Sequence, residues 1–380
     1  MKKTILIVTE YFYPAFKAGG PTKSIFNMVK FLKQDYHIFI ICSSKDLGSS
    51  NNLQVEAINK WLQADGYSII YCSKIIKSIK EILISRWKIN YDYLYLGSFF
   101  NPIYSLYTLL TRLGSKKDVI IAPKGEFFYG ALSQKKIKKK IVINLFKLIL
   151  NLLPLKWQST NEQEKKVIKN LFNNNKINVI TSSNLVTIDN LDLIYQKKYQ
   201  KKINIIICGR ISPVKNILMS IECINQLKGD INVEMWGAID DFDYWNKCKE
   251  RISQSPSNVI FRYKGTFHPY DIKKIFAKQH LLLMPSLSEN FGYAIYEALN
   301  LGIPVITSNN TPWRDLKKNK VGFDIPLSNK ICFVNALRYY EIMSNNEFIK
   351  IRKNCKKYVL NYCDLQIKEA KDSLISQLFK

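Results

Sequence analysis

The chain has 380 residues, more than one hydrophobic core ordinarily supports, so two domains are expected. Its apolar content of 47% is that of a globular protein, and no apolar run approaches the roughly 20 residues of a membrane-spanning helix. The net charge of +27 favours an anionic partner, although a chain rich in Lys, Asn and Ile also acquires such charge from composition alone. The eight cysteines (Cys42, Cys72, Cys208, Cys223, Cys248, Cys332, Cys355 and Cys363) stand singly, with no Cys-x-x-Cys pair. That pattern fits buried thiols in a reducing cytoplasm better than disulfides or zinc. With only His37, His268 and His280, a histidine-built metal site is not expected, and no metal is assigned.

Met1-Lys2-Lys3 leads at once into an apolar run, but Glu10, Pro14 and Lys17 interrupt it, which predicts a first β-strand at Ile5–Val8 rather than a signal peptide. Helical spacing follows over Ser24–Lys33, then strands at His37–Cys42 and Ser68–Cys72, with His37 expected in the core. A helix over Ser73–Ser85, strands at Tyr93–Leu96 and Val119–Ala122, a helix over Lys165–Phe172 and a strand at Asn178–Thr181 complete a first α/β series. The polar stretch Asp189–Lys202 reads as a linker. A second series begins at Ile203–Cys208 and continues through Val233–Trp236, Val259–Tyr263, Leu281–Met284 and Val305–Ser308. Strands separated by helical segments imply parallel sheets, and residues beyond about Asp364 read as a terminal helix.

Two stretches of the second series carry chemistry. Leu281–Met284 runs into Ser288-Glu289-Asn290-Phe291-Gly292, and a helix follows that contains Glu297. A loop at the carboxyl end of a strand, opening a helix, is where open α/β sheets bind ligands, and free N–H groups there attract anions. The other stretch is Gly209-Arg210-Ile211-Ser212-Pro213-Val214-Lys215, which places two cations after a strand, where they can neutralise a diphosphate. Asp240-Asp241-Phe242-Asp243 follows a strand and a glycine and reads as an exposed turn, not a metal site. In the first series Ala18-Gly19-Gly20-Pro21-Thr22 follows the first strand, but it is not G-x-G-x-x-G, so no dinucleotide fingerprint is assigned.

From about Ile203 to Gly322, the ordered string resembles the retaining GT-B glycosyltransferases of family 4, also called glycosyltransferase group 1. That string is Gly-Arg…Lys followed by Ser-Glu-x-Phe-Gly-x-x-x-x-Glu-Ala-Leu-x-x-Gly-x-Pro-Val. Thr311-Pro312-Trp313 and Asp315-Leu316 resemble bacterial members that build surface polysaccharides. The resemblance implies an α/β GT-B fold, two Rossmann-like domains facing across a cleft that holds the active site. The expected bounds are 1–188, a linker at 189–202, a nucleotide-sugar domain at 203–363, and a C-terminal helix at 364–380 packing back on the first domain.

It also implies roles. Arg210 and Lys215 would bind the donor diphosphate, Glu289 the donor sugar, and Glu297 the ribose, with backbone N–H groups from Asn290, Phe291 and Gly292. Gly19 and Gly20 would lie near the donor phosphate and the acceptor. Ala122-Pro123-Lys124-Gly125-Glu126-Phe127 resembles a Pro-Arg-Gly stretch of some members, which makes Lys124, Gly125 and Glu126 acceptor-side candidates. No general base is assigned; in such enzymes the leaving phosphate helps deprotonate the acceptor. The implied activity is metal-independent hexosyl transfer from a UDP- or GDP-sugar, with retention and without a cofactor, to a glycan or lipid-linked oligosaccharide in O-antigen or capsule biosynthesis. A GT-B-fold epimerase or phosphorylase, or a non-catalytic glycan- or membrane-binding subunit, remains the alternative.

Lys135-Lys136-Ile137-Lys138-Lys139-Lys140 leads into the apolar run Ile141–Leu150. A basic cluster abutting an apolar helix reads either as a patch for an anionic membrane or as a core helix with a solvated start. No nucleic-acid motif accompanies it, and nucleic acid is not an expected partner. The expected location is the cytoplasm, either free or peripheral at the inner face of the cytoplasmic membrane.

Overall fold

A computed structural model describes residues 2–133, 136–149, 152–172, 177–186 and 197–380, the side chains of Tyr129 and Ser133 excepted. The chain forms two compact units, one of residues 1–187 and 366–380, the other of residues 188–365.

The first unit is built on eight strands: β1 (Thr4–Val8), β2 (His37–Ser43), β3 (Trp61–Ala64), β4 (Tyr67–Cys72), β5 (Tyr93–Leu96), β6 (Asp118–Ile121), β7 (Leu155–Ser159) and β8 (Asn178–Thr181). Their order is β3-β4-β2-β1-β5-β6-β7-β8. All pairings are parallel except β3 with β4. The strands are apolar on both sides because helices cover both faces. Ile5 and Ile7 of β1 point into one core with the helix Gly20–Leu32 and the terminal residues Leu374, Leu378 and Phe379. Leu6 and Val8 point into the other, beneath the helices Ile75–Lys88, Lys136–Ile149 and Glu162–Phe172.

The second unit holds β9 (Lys202–Cys208), β10 (Asp230–Trp236), β11 (Val259–Gly265), β12 (Leu281–Met284), β13 (Val305–Ser308) and β14 (Gly322–Ile325). Their order is β11-β10-β9-β12-β13-β14, and every pairing is parallel. In chain order this is 3-2-1-4-5-6, the doubly wound arrangement, whose strand order reverses between β9 and β12. In the first unit the same reversal falls between β1 and β5. Connections that leave adjacent strands toward opposite faces part at these points and open a crevice at the carboxyl edge.

Several elements differ from the sequence reading. The strand β3 is added through a two-residue Asp65-Gly66 turn, with Gly66 at φ 81°, the backbone a tight hairpin needs. The strands β7 and β14 are also additional; both are short and interrupted by polar residues. His37 is exposed rather than core, because it heads β2 at the amino edge of its sheet. One helix, Asn345–Ser373, runs through the position where a terminal helix was expected to begin. Of the expected linker, residues 189–196 lie outside the described residues, and Lys202 already belongs to β9. Lys135 also lies outside the described residues.

Candidate active site

The strand β9 ends at Cys208, and the backbone then turns through Gly209 at φ 151°. Gly237, at φ 146°, does the same after β10. The two segments touch: a Cβ on Gly237 would lie 1.9 Å from the carbonyl oxygen of Gly209. Amide bonds from Gly209 to the Trp236 carbonyl (2.9 Å) and from Ile211 to the Ala238 carbonyl (2.8 Å) carry the ladder beyond the strands. Arg210 is therefore held at the sheet's carboxyl edge, its Nη1 3.0 Å from Asp240 Oδ2 and its side chain 52% exposed. Asp241 caps the helix Phe242–Ser253 by accepting from the Tyr244 amide at 2.8 Å. These two bonds account for the first two carboxylates of the acidic cluster.

Beyond Arg210 a single 3-10 turn, Pro213–Lys215, is closed by Asn216 in the left-handed region at φ 53°, and the helix Ile217–Ile224 begins. A Cβ at Gly209 would press within 3.1 Å of Lys215 Cε, so the glycine also makes room for the lysine's stem.

The loop after β12 is pinned from both sides. Thr307 Oγ1 donates to the Met284 carbonyl (2.8 Å) and Ser308 Oγ to that of Ser286 (2.5 Å). The Leu287 amide donates to the Val214 carbonyl (2.8 Å), and the Glu289 amide to the Asn310 carbonyl (3.2 Å). This places Lys215 Nζ 2.5 Å from Glu289 Oε1, with the two side chains 20% and 10% exposed. The chain then passes Gly292 at φ 80° into the helix Tyr293–Asn300. Trp313, fully buried, donates from Nε1 to the Phe291 carbonyl at 2.6 Å and fixes the peptide just before the helix. Glu297 is half-buried in the second turn of that helix.

In the first unit Gly19, at φ 73°, precedes the helix Gly20–Leu32, whose first turn contains Pro21. Its loop is held by Asp46, which accepts from the amides of Phe16 (3.0 Å) and Lys17 (3.1 Å). After β6, Lys124 (φ 51°) and Gly125 (φ 90°) both adopt left-handed backbone. Lys124 Nζ donates to Ser24 Oγ (2.8 Å), and Ser24 donates to Asn184 Oδ1 (2.5 Å). The buried Glu164 accepts from the Gly125 amide (2.5 Å), the Thr160 amide (2.8 Å) and the Thr160 hydroxyl (2.7 Å). Burial pulls the Lys124 ammonium down to about 8, against the opposing pull of the Glu164 carboxylate. Glu126 accepts from Ser98 Oγ (2.5 Å) and the amides of Phe99 (2.6 Å) and Phe100 (3.2 Å), tying the loop after β6 to the loop after β5. Burial pushes its pKa up, and these three bonds work against that shift.

The predicted residues thus fall at two sheet edges. Arg210, Lys215, Glu289 and the 290–292 segment flank the β9/β12 reversal of the second unit, with Glu297 on the helix that follows. Gly19 and Gly20 follow β1, and Lys124, Gly125 and Glu126 follow β6, in the first unit. The supports Val214, Asn310, Ser24, Asn184 and Glu164 are not among the residues predicted from the sequence. Trp313 stands out in the sequence by family likeness alone, which does not reveal the support it gives Phe291. Asn161-x-x-Glu164 did carry a local signal, since Asn161 Oδ1 accepts from the Glu164 amide at 2.8 Å as a helix cap does. The others are non-local and leave none.

Residues 192–361 match the model of the family described as glycosyl transferases group 1. The chain is 23% identical over 309 residues (77% of this chain, 78% of the other) to an uncharacterized 41.2 kDa protein in the cps region of Klebsiella pneumoniae. It is 29% identical over 156 residues to the Escherichia coli UDP-Gal:alpha-D-GlcNAc-diphosphoundecaprenol alpha-1,3-galactosyltransferase, covering 40% of each chain. The solved structure of Anabaena Alr3699/HepE in complex with UDP and glucose superposes over 100% of both chains, with a TM-score of 0.68 and 13% sequence identity. The fold is GT-B, and the match to the group 1 glycosyltransferase model falls within its second unit.

Proposed function

We propose that this glycosyltransferase moves a hexosyl group from a UDP-sugar to a lipid-linked glycan in surface-polysaccharide assembly, with retention at the anomeric carbon. The observation that carries the reading is the pairing of Lys215 with Glu289 across the strand reversal, with Arg210 following the same strand as Lys215. A departing nucleoside diphosphate gains negative charge as the anomeric C–O bond breaks, and fixed cations there lower the barrier more than they stabilise bound donor. Arg210 and Lys215 supply that charge in this reading, so the reaction does not call on a metal. Glu289 then takes donor-sugar hydroxyls and Glu297 the ribose hydroxyls, while amides at the head of the helix Tyr293–Asn300 face the anionic end of the donor. The acceptor oxygen attacks from the side the diphosphate leaves, and its proton passes to the leaving phosphate oxygen.

The choice of UDP rests on what two similar proteins bind or use: UDP and glucose in HepE, and UDP-Gal in the Escherichia coli transferase. The lipid-linked acceptor follows the latter's diphosphoundecaprenol substrate, and the polysaccharide role the cps-region relative.

The test is UDP release from a panel of UDP-sugars, with and without a lipid-diphosphate sugar acceptor. Release that requires the acceptor and yields a product with the donor's anomeric configuration is expected. Equal release without acceptor, or an inverted product, overturns the corresponding part of the reading.

A further inference from the structure

The helix Lys136–Ile149 is apolar on two opposite sides. Ile143 and Phe146 are buried in the core beneath the first sheet's helices. Ile137, Ile141, Leu145 and Leu148, spaced four, four and three residues apart, form a second stripe roughly half a turn away. All four are more than half exposed, Ile137 and Leu148 at 77% and 75%. Lys138 borders this stripe on one side; Lys136, Lys140 and Lys147 border it on the other. The helix carries five lysines and no acidic residue.

A second helix on the same sheet face, Ile75–Lys88, shares part of the pattern. Ile82 packs into the same core, while Ile76 and Trp87 are exposed with Lys80 beside them, although Glu81 also lies on this helix, paired with Lys77.

We propose that this face of the first unit docks on an anionic lipid bilayer, the aliphatic stripe entering the acyl boundary and the lysine rims meeting lipid phosphates. A soluble protein rarely leaves a contiguous aliphatic stripe in water unless something covers it. The charge pattern selects the occupant. A second copy of this chain would oppose lysine rim to lysine rim, which repulsion disfavours. A sheet of anionic headgroups satisfies both rims at once, and a helix lying in the interface plane buries its apolar face without any matched partner surface. The indole of Trp87, an apolar ring with a polar edge, suits the same interface. The inference is independent of the donor chemistry, since it concerns a surface remote in sequence from Arg210, Lys215 and Glu289.

The test is co-sedimentation of the full chain with vesicles, in the absence of donor and acceptor. Binding to phosphatidylglycerol–phosphatidylcholine vesicles, weakened by salt, and little binding to phosphatidylcholine alone are expected. Substituting Ile141→Gln, Leu145→Gln and Leu148→Gln together should lower partition at least about tenfold while the melting temperature stays near that of the parent, because these side chains are more than half exposed and lie outside the core cluster. Unchanged partition of that variant overturns the proposal. So does a dimer in sedimentation velocity that the same three substitutions abolish, which would make a second copy the occupant.

Discussion

Lys215 Nζ lies 2.5 Å from Glu289 Oε1, although 74 residues separate them. Each is delivered by a different strand, β9 or β12, on either side of the point where the strand order reverses. The loops that carry them are themselves joined by the bond from the Leu287 amide to the Val214 carbonyl. The pair is thus one unit, and a ligand that engages either side chain senses the other. A diphosphate drawn to Lys215 must compete with Glu289, and a sugar hydroxyl that takes Glu289 leaves Lys215 more available to phosphate.

Removing either partner should have opposite consequences for nucleotide alone. Lys215→Met should weaken UDP binding about 10- to 100-fold, the value of one charge-assisted hydrogen bond and an unpaired carboxylate left beside the phosphate. Glu289→Gln should bind UDP at least as tightly as the parent yet lose transfer activity, because the proposed contact with the donor sugar is gone. Arg210→Ala should cost less, and the cost should shrink with added salt, since Arg210 is half exposed. Calorimetry with UDP, paired with transfer assays, checks all three.

Gly237 should tolerate no side chain. Its Cβ would overlap the Gly209 carbonyl at 1.9 Å, so Gly237→Ala must pry apart the segments that seat Arg210. A loss of more than about 3 kcal/mol, beyond most single substitutions, is expected in urea unfolding. Gly19→Ala makes the contrast. It has no atom within 4 Å of the added Cβ, so only the left-handed backbone counts, about 1–2 kcal/mol.

The two glycines also mark what was legible in the sequence. Arg210, Lys215 and Glu289 could be placed at a sheet edge because each lies within seven residues of the end of a strong buried strand, and strand ends locate the ligand edge of such a sheet. The contact of Gly237 with Gly209 left no trace, because it depends on how two strands align in register. The same holds for Trp313 reaching Phe291, and for Ser24 and Asn184 meeting Lys124: apolar periodicity reports which face is buried, not which partner is met. The Asp65-Gly66 turn is a hairpin signal, but its strand Trp61–Ala64 has only four residues, none of them buried, at the sheet edge, and so carries little strand signal of its own.

Trp313→Phe keeps an aromatic ring against Phe291 but removes the donor to its carbonyl. The buried carbonyl then lacks that partner, a cost of about 1–3 kcal/mol. Because the peptide it holds precedes the helix Tyr293–Asn300, the donor KM should rise while kcat changes less. Steady-state kinetics separates the two, and a fall in kcat alone would speak against a positioning role.

Lys124 gives a pH signature to the first unit. Its ammonium is pulled from 10.5 to about 8 by burial, so between those values the folded chain holds fewer protons at this site than the unfolded chain. Stability must then rise with pH across that window, and below about 8 the site carries the cost of a buried charge. Lys124→Met removes the titrating group. The difference in urea midpoint between variant and parent should favour the variant near about pH 7 and move toward the parent by about pH 10. Tyrosines whose pKa is raised by burial, Tyr71 and Tyr104 among them, act in the opposite direction at high pH but are common to both proteins and cancel in the difference. Loss of the bond to Ser24 shifts the variant by a similar amount at every pH, so it changes the offset and not the slope. A midpoint difference that stays flat over that range would place the Lys124 ammonium in solvent rather than in the network of Ser24, Asn184 and Glu164.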